Sequence, residues 1–344
     1  MIETAVTQEI TNEAGRSNKL FSSRLKPPVW SFLLTALILG AMQYYLPIPM
    51  LLFERYLPNF GWFQVVLMAL YAAWLTGKFL NPSVAVNLRP RIWLLFSLAF
   101  FAQLFLGLAG FEKMLMTGKL HLPVPALIIA GPLFRGRDFF MPILFFVTAL
   151  LVGPAWCSHL CYLGAWDDCL SRRSSKQKEL PAYFSKIRLF LLALVVIIPL
   201  VMRFMQVGWL PALVAVALFG LVGVAVMLTT SRRNGLMAHC ISYCPVGLVG
   251  NWLGRLSLFR VRIGDKCSEC QHCRKACRYN ALSFDDIKRR RPGSTCTLCG
   301  DCIAVCQSGQ INYCLPLLPP QSARAVFLVL IISLHTVFLA VARI

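Results

Sequence analysis

Seven long stretches almost free of charge constrain this chain most: residues 30–46, 61–77, 92–110, 139–156, 189–202, 210–230 and 325–341. Most of them approach the roughly 17–25 residues with which a helix crosses the hydrocarbon layer. There, only segments that satisfy their own backbone hydrogen bonds are stable. The balance of 58% hydrophobic against 14% charged residues agrees, since an average soluble chain carries about 25% charged residues. The expected fold class is mostly α, a polytopic membrane helix bundle of about seven spans. The apolar piece LPVPALIIAGPL at 122–133 is short and contains three prolines, which suits an interfacial or re-entrant segment better than a crossing. Residues 1–29 are polar and are read as an N-terminal tail, with the first apolar run as a retained helix and not a cleaved signal peptide.

The net charge of +20 raises the question of a polyanionic partner. With the N-terminus inside and seven crossings, segments 1–29, 78–91, 167–188 and 231–324 face the cytoplasm and hold 27 of the 34 Lys and Arg. That is the bias expected of membrane topology. No nucleic-acid-binding motif accompanies the charge, so no nucleic-acid partner is expected.

All fourteen cysteines fall, in that topology, at or beyond the cytoplasmic ends of helices. Thiols stay reduced there, so metal ligation is favoured over a disulfide framework. Cys267, Cys270, Cys273 and Cys277 spell C-x-x-C-x-x-C-x-x-x-C, and Cys296, Cys299, Cys302 and Cys306 repeat it 29 residues on. This run holds cubane iron–sulfur clusters: three thiolates come from one tight loop and the fourth reaches the other cube. The crossed assignment gives Cys267, Cys270, Cys273 and Cys306 to one [4Fe–4S] cluster, and Cys296, Cys299, Cys302 and Cys277 to the second. Zinc is the rival, but zinc sites use two ligand pairs set further apart. Both runs lack the customary closing proline, with Arg278 and Gln307 in its place. Between the runs, KRRRPGS at 288–294 is either a solvated positive loop or a docking patch for an acidic redox partner or lipid headgroups.

A second repeat lies at the membrane edge. The 139–156 run leads into C-S-H-L-C-Y-L-G, with Cys157 and Cys161, and the 210–230 run leads into C-I-S-Y-C-P-V-G, with Cys240 and Cys244. Two such units related by an axis along the membrane normal would bring the pairs together. The four thiols would then form a third metal site, most simply an iron–sulfur cluster at the junction with the membrane. The alternative is that each pair is merely buried thiol at a helix end. His159 and His239, beside the pairs, and Glu112, at the far end of the third span, are candidates for proton transfer. Each also has a bland role, as a capping group or a headgroup-exposed carboxylate. Cys169 and Cys314 fit no pattern.

With these motifs in place, the chain resembles the membrane-bound ferredoxin-type subunits associated with periplasmic nitrate reductase and methylamine utilisation, the NapH/MauN type. Their hallmark is a pair of Cys-x-x-x-Cys-Pro motifs at transmembrane helix ends followed by two cubane-binding runs. The second motif here, Cys240 to Pro245, is complete, and the first has Tyr162 at the proline position. The resemblance covers about residues 139–314. It implies a quinol-dehydrogenase or electron-relay subunit in the bacterial cytoplasmic membrane, with quinol as substrate and a reductase or other redox protein as partner. The domain organisation then reads as tail 1–29, N-terminal transmembrane helices 30–138, and a transmembrane repeat with an interfacial helix over 139–259. A cytoplasmic α+β two-cluster ferredoxin-like domain follows at 260–316, opened by the short strand RVRI, and a last transmembrane helix at 322–344. No haem-attachment C-x-x-C-H, dinucleotide fingerprint or nucleophile–base set is present. The competing function is assembly, reductive maturation or regulation of a separate metalloenzyme.

Overall fold

The computed structural model describes residues 26–114, 122–174, 177–178 and 183–341. The expected tail lies outside the described residues up to residue 25, as do residues 342–344 of the last segment.

The long helices are α1 (Pro27–Tyr45), α2 (Gly61–Phe79), α3 (Pro82–Leu108), α4 (Phe140–Val152), α5 (Tyr162–Ser171), α6 (Phe184–Phe204), α7 (Trp209–Val226), α8 (Pro245–Leu253) and, after the lobe described below, α12 (Pro320–Val341). Their starts follow local chemistry. Pro27 and Pro28 open α1, while Pro82 opens α3 behind Asn81, whose side chain accepts from Ser83 N–H at 3.1 Å; proline loses no hydrogen bond at that position. The 122–133 piece forms the nine-residue helix Leu127–Arg135, which packs on α6.

Six helical stretches are long and apolar enough to cross a membrane: Pro27–Tyr45, Pro82–Leu108, Phe140–His159, Lys186–Phe204, Trp209–Asn234 and Pro320–Val341. The expected count of seven is corrected at α2. Gln64 and Lys78, near its two ends, make it less apolar than the others. It nevertheless runs the length of the bundle, antiparallel to α1. At one end Ser31 Oγ and Thr76 Oγ1 are 2.6 Å apart, and Arg324 donates to Phe79 O and Leu80 O at 2.7 and 2.9 Å. At the other, Gln64 Nε2 donates to Ala340 O at 3.0 Å. Its exposed face carries Trp62, Phe63, Val66, Leu67, Leu70 and Trp74, while Gln64 and Thr76 are buried. An apolar exterior over a polar interior suits a lipid surround, where interhelical polar contacts act as glue.

The lobe between α8 and α12 contains one antiparallel strand pair, β1 (Arg260–Ile263) with β2 (Ile311–Cys314), in register Arg260↔Cys314 to Ile263↔Ile311. It adds three single-turn helices, α9 (His272–Ala276), α10 (Phe284–Lys288) and α11 (Asp301–Ala304). Val261, Ile263, Ile311 and Tyr313 alternate inward along the strands, as a half-buried sheet requires. Tyr313 stacks on Phe327 of α12 with centroids 4.5 Å apart, and Phe259 meets the same ring edge-on at 5.4 Å. One continuous apolar core therefore joins lobe and bundle.

Candidate metal centres

The ends of the membrane helices and the lobe meet at one face, where three sets of four cysteines gather. The first set comes from the repeated membrane motif, built the same way twice. In each copy a glycine with positive φ, Gly153 at +66° and Gly235 at +65°, stops the preceding helix a few residues before the first cysteine. The second cysteine, Cys161 or Cys244, has extended backbone and sits at the N-cap of the next helix, α5 or α8. Its sulfur lies within electrostatic reach of the N–H groups two and three residues on, Leu163 and Gly164 in one copy, Val246 and Gly247 in the other, without a capping hydrogen bond being formed. A thiolate there meets unpaired amide donors and the positive end of a helix dipole.

The recurring glycine of the two motifs has a steric cause. A Cβ at Gly164 would lie 2.6 Å from Trp93 and 3.0 Å from Cys157 O, and one at Gly247 would lie 2.7 Å from Arg188 and 3.1 Å from Cys240 O. Trp93 and Arg188 hold equivalent posts. Trp93 Nε1 donates to Cys161 O at 2.8 Å, and Arg188 Nε donates to Cys244 O at 3.2 Å. The two copies meet: Cys240 N–H donates to Asp167 Oδ2 of α5 at 3.0 Å, and the Cys240 sulfur is within electrostatic reach of Cys161, Cys244 and Cys157.

The lobe repeats itself too. In the first run Glu269 and Gln271 have φ of +53° and +61°; in the second Leu298 and Gly300 have +55° and +83°. Left-handed residues thus flank the middle cysteine each time, as do Asn280 and Gly309 three residues past the last. Non-glycine residues in that region cost roughly 1–2 kcal/mol each. Left-handed residues alternating with others are the backbone pattern from which anion-binding nests are built.

The chain crossing between the runs is visible in the cysteine neighbourhoods. Cys277 lines one cavity with Cys296, Cys299 and Cys302. Cys273 is within electrostatic reach of Cys267, Cys270 and Cys306. Burial raises the thiols of Cys277, Cys296 and Cys299 to about 12.

Three observations bear on whether these residues fit a thiolate-bound iron–sulfur cluster. Arg188 is buried beside Cys244, Cys157 and Cys240, and among the described residues it forms no ion pair with a carboxylate. A lone buried cation calls for an anion, and an anionic cluster held by four thiolates would supply one. Tyr279 Oη and Thr297 Oγ1, on the walls of the Cys277 cavity, are buried without a hydrogen-bond partner among the described residues. Their hydroxyls can donate to sulfur. Finally, no group of three or more His, Cys, Asp or Glu placed to hold a metal ion is found among the described residues, so the fit to a cluster rests on the Cys277 cavity, Arg188, Tyr279 and Thr297.

An ion network fixes lobe to bundle. Arg89 of α3 is fully buried and donates to both carboxylate oxygens of Asp301, between Cys299 and Cys302, at 3.1 and 2.9 Å. Arg172 donates to Asp301 at 2.9 Å and to Asp168 at 2.7 Å, and Arg89 reaches Asp168 at 3.4 Å. Arg278, where the customary proline is missing, reaches the carbonyls of Ser171, Ser174 and Gly235 at 2.8–3.3 Å. Sequence counting treats Arg89 and Arg188 as part of the positive bias. The only signal of a further role is their place at the very start of apolar runs.

His159 is buried, its Nδ1 3.0 Å from Ser158 Oγ and 3.3 Å from Ala155 O, and it lines a small cavity with Cys299. His239 Nδ1 lies 3.2 Å from Gly223 O. Glu112 stands beyond the opposite end of α3; the 27 residues of that helix span about 40 Å at 1.5 Å each. Cys169 and Cys314 join none of the three sets.

A family model described as a 4Fe-4S binding domain matches residues 138–181 and 207–264, less than a third of the chain. Each matched stretch holds one spanning helix and one membrane cysteine pair. No curated protein and no solved structure matches. Together with six helices able to cross a membrane, the match supports a membrane iron–sulfur protein of ferredoxin type that binds 4Fe–4S clusters.

Proposed function

We propose that the chain is a membrane electron relay of the NapH/MauN type, carrying electrons between the quinone pool and a redox partner protein through three cysteine-held centres. Cys157, Cys161, Cys240 and Cys244 hold the junction centre. Cys277, Cys296, Cys299 and Cys302 hold the middle one, and Cys267, Cys270, Cys273 and Cys306 the outer one. When bound, iron–sulfur clusters supply reversible one-electron storage. The protein's part is to space, orient and dehydrate the sites.

The observation that carries this function is the sequence of contacts from membrane to lobe. Tyr279 lies within electrostatic reach of both Cys240 and Cys299, and Ser158 Oγ, next to Cys157, donates to Thr297 O, next to Cys296, at 2.9 Å. Junction and middle sites therefore share a wall, and the crossed pairing interlocks the middle and outer sites. His159 and His239 are the residues to hold and pass the proton that accompanies quinol chemistry, the first with Nδ1 against Ser158 Oγ and Ala155 O, the second with Nδ1 against Gly223 O. In a bacterial inner membrane the lobe would face the cytoplasm, in keeping with the Lys and Arg bias.

Anaerobic purification followed by addition of a quinol analogue tests the function. Absorbance bleaching and a reduced-cluster EPR signal on quinol addition support the relay. Clusters that dithionite reduces but no quinol analogue does would remove the quinone pool from it.

A further inference from the structure

We propose that the basic rim around Cys270 is the docking surface for an acidic, soluble one-electron redox protein. The inference rests on the relay function above and adds the chemistry of the partner. Of the fourteen cysteines, Cys270 alone is exposed, so the outer set is where an electron can leave the protein over the shortest path. Segment 288–291 is brought beside that loop by two contacts: Arg290 Nη2 pairs with Glu269 Oε1 at 3.3 Å, and Ile263 N–H donates to Arg290 O at 3.1 Å.

The charges left over are net basic. Lys266, Lys288, Arg289 and Arg291 are exposed, and the Lys288 ammonium sits 4.3 Å over the Phe284 ring. Of the nearby carboxylates, Glu269 is engaged by Arg290 and Asp286 by the Ser283 cap, and the exposed Asp265 and Asp285 are outnumbered by the four exposed basic residues. Topological bias accounts for basic residues within roughly 15–20 positions of a span, yet Arg291 precedes Pro320, the start of α12, by 29. The rim also sits at the Ile263–Ile311 end of the strand pair, away from the Phe259–Phe327 contact with the bundle. A macromolecule arriving from solvent meets it more readily than a headgroup does. Opposed charge would steer that encounter and raise its rate in a salt-dependent way. In the event itself one electron leaves at the Cys270 edge and reduces a one-electron acceptor, with no proton moved and no bond made.

The test uses the full chain, loaded anaerobically in neutral-lipid nanodiscs and reduced. A small acidic [2Fe–2S] ferredoxin serves as acceptor, followed by stopped-flow absorbance, with basic cytochrome c as control. The second-order rate with the acidic acceptor should fall at least about tenfold between low and physiological-plus salt. It should fall by a similar factor, and lose most of its salt dependence, in the triple variant Lys288→Glu, Arg289→Glu, Arg291→Glu, while iron content and dithionite bleaching stay as in the parent. The rate with cytochrome c should hold or rise. An unchanged rate with the acidic acceptor in the triple variant overturns the proposal. So does an effect of the charges that appears only when anionic lipid is added to the discs. A chain that carries no clusters would instead sink the relay function itself, which the iron count reports separately.

Discussion

At the scale of single residues, the cysteine sites depend on neighbours that are not ligands. Arg188 is the sharpest case: a guanidinium buried against thiols and, among the described residues, without a carboxylate partner. Its replacement should leave the junction centre without its counter-charge, and removing one partner of a buried charge pair costs about 3–5 kcal/mol. Arg188→Gln is expected to purify with about four fewer irons per chain, and Arg188→Lys to recover only part of them, measured by iron and sulfide assay. Gly164→Ala and Gly247→Ala should each push a Cβ into Trp93 or Arg188. Overpacking typically costs about 1–3 kcal/mol, which a lowered melting temperature of the loaded protein would report. Breaking the anchor between lobe and bundle with Asp301→Asn removes the closest carboxylate of the buried Arg89 and leaves it Asp168 at 3.4 Å. An unfolding transition of the lobe shifted down, with α-helical content kept, is the outcome to look for by circular dichroism. None of these partners was legible in the sequence. A motif shows spacing along the chain, whereas Arg188, Trp93 and Arg89 lie 56, 68 and 212 residues from Cys244, Cys161 and Asp301, the residues they bond.

At the scale of elements, the repeats were legible and their causes were not. The spacing of Cys157 with Cys161 and of Cys240 with Cys244 announces a doubled unit. The folded chain adds that each second cysteine stands at the N-cap of a helix and that a positive-φ glycine stops the helix before it. RVRI was readable as a strand because it alternates, and its partner Ile311–Cys314 was not, since four residues after a cysteine run carry little pattern. The count of spans went to six plus α2 because Gln64 and Lys78 dilute an otherwise apolar helix. Loop geometry makes its own prediction. Gln271→Gly should relieve a left-handed, only partly buried glutamine and change stability by no more than about 1 kcal/mol, whereas Gly300→Ala adds a Cβ 2.9 Å from Tyr313 Oη at φ +83°. The second should lower cluster occupancy and the first should not, by absorbance per chain after anaerobic reconstitution.

At the scale of the whole molecule, lobe and bundle form one body around three cysteine sets, so loading and folding are coupled. The thiols of Cys161, Cys277, Cys296 and Cys299 are held at about 12 by burial. They are therefore protonated at neutral pH before metal arrives, and ligation must expel those protons. Loading should accordingly strengthen as pH rises from about 6 to 8 at fixed iron and sulfide, by up to about tenfold per unit for each proton released.

The measurement that bears most directly on the relay is the iron stoichiometry of the strictly anaerobic protein, taken with EPR for the parent and for Cys240→Ser. Three cysteine-held centres predict about twelve irons per chain, falling to about eight in the variant, with the two lobe signals retained. About eight irons in both, with unchanged quinol-linked reduction, would contradict a centre at the membrane junction.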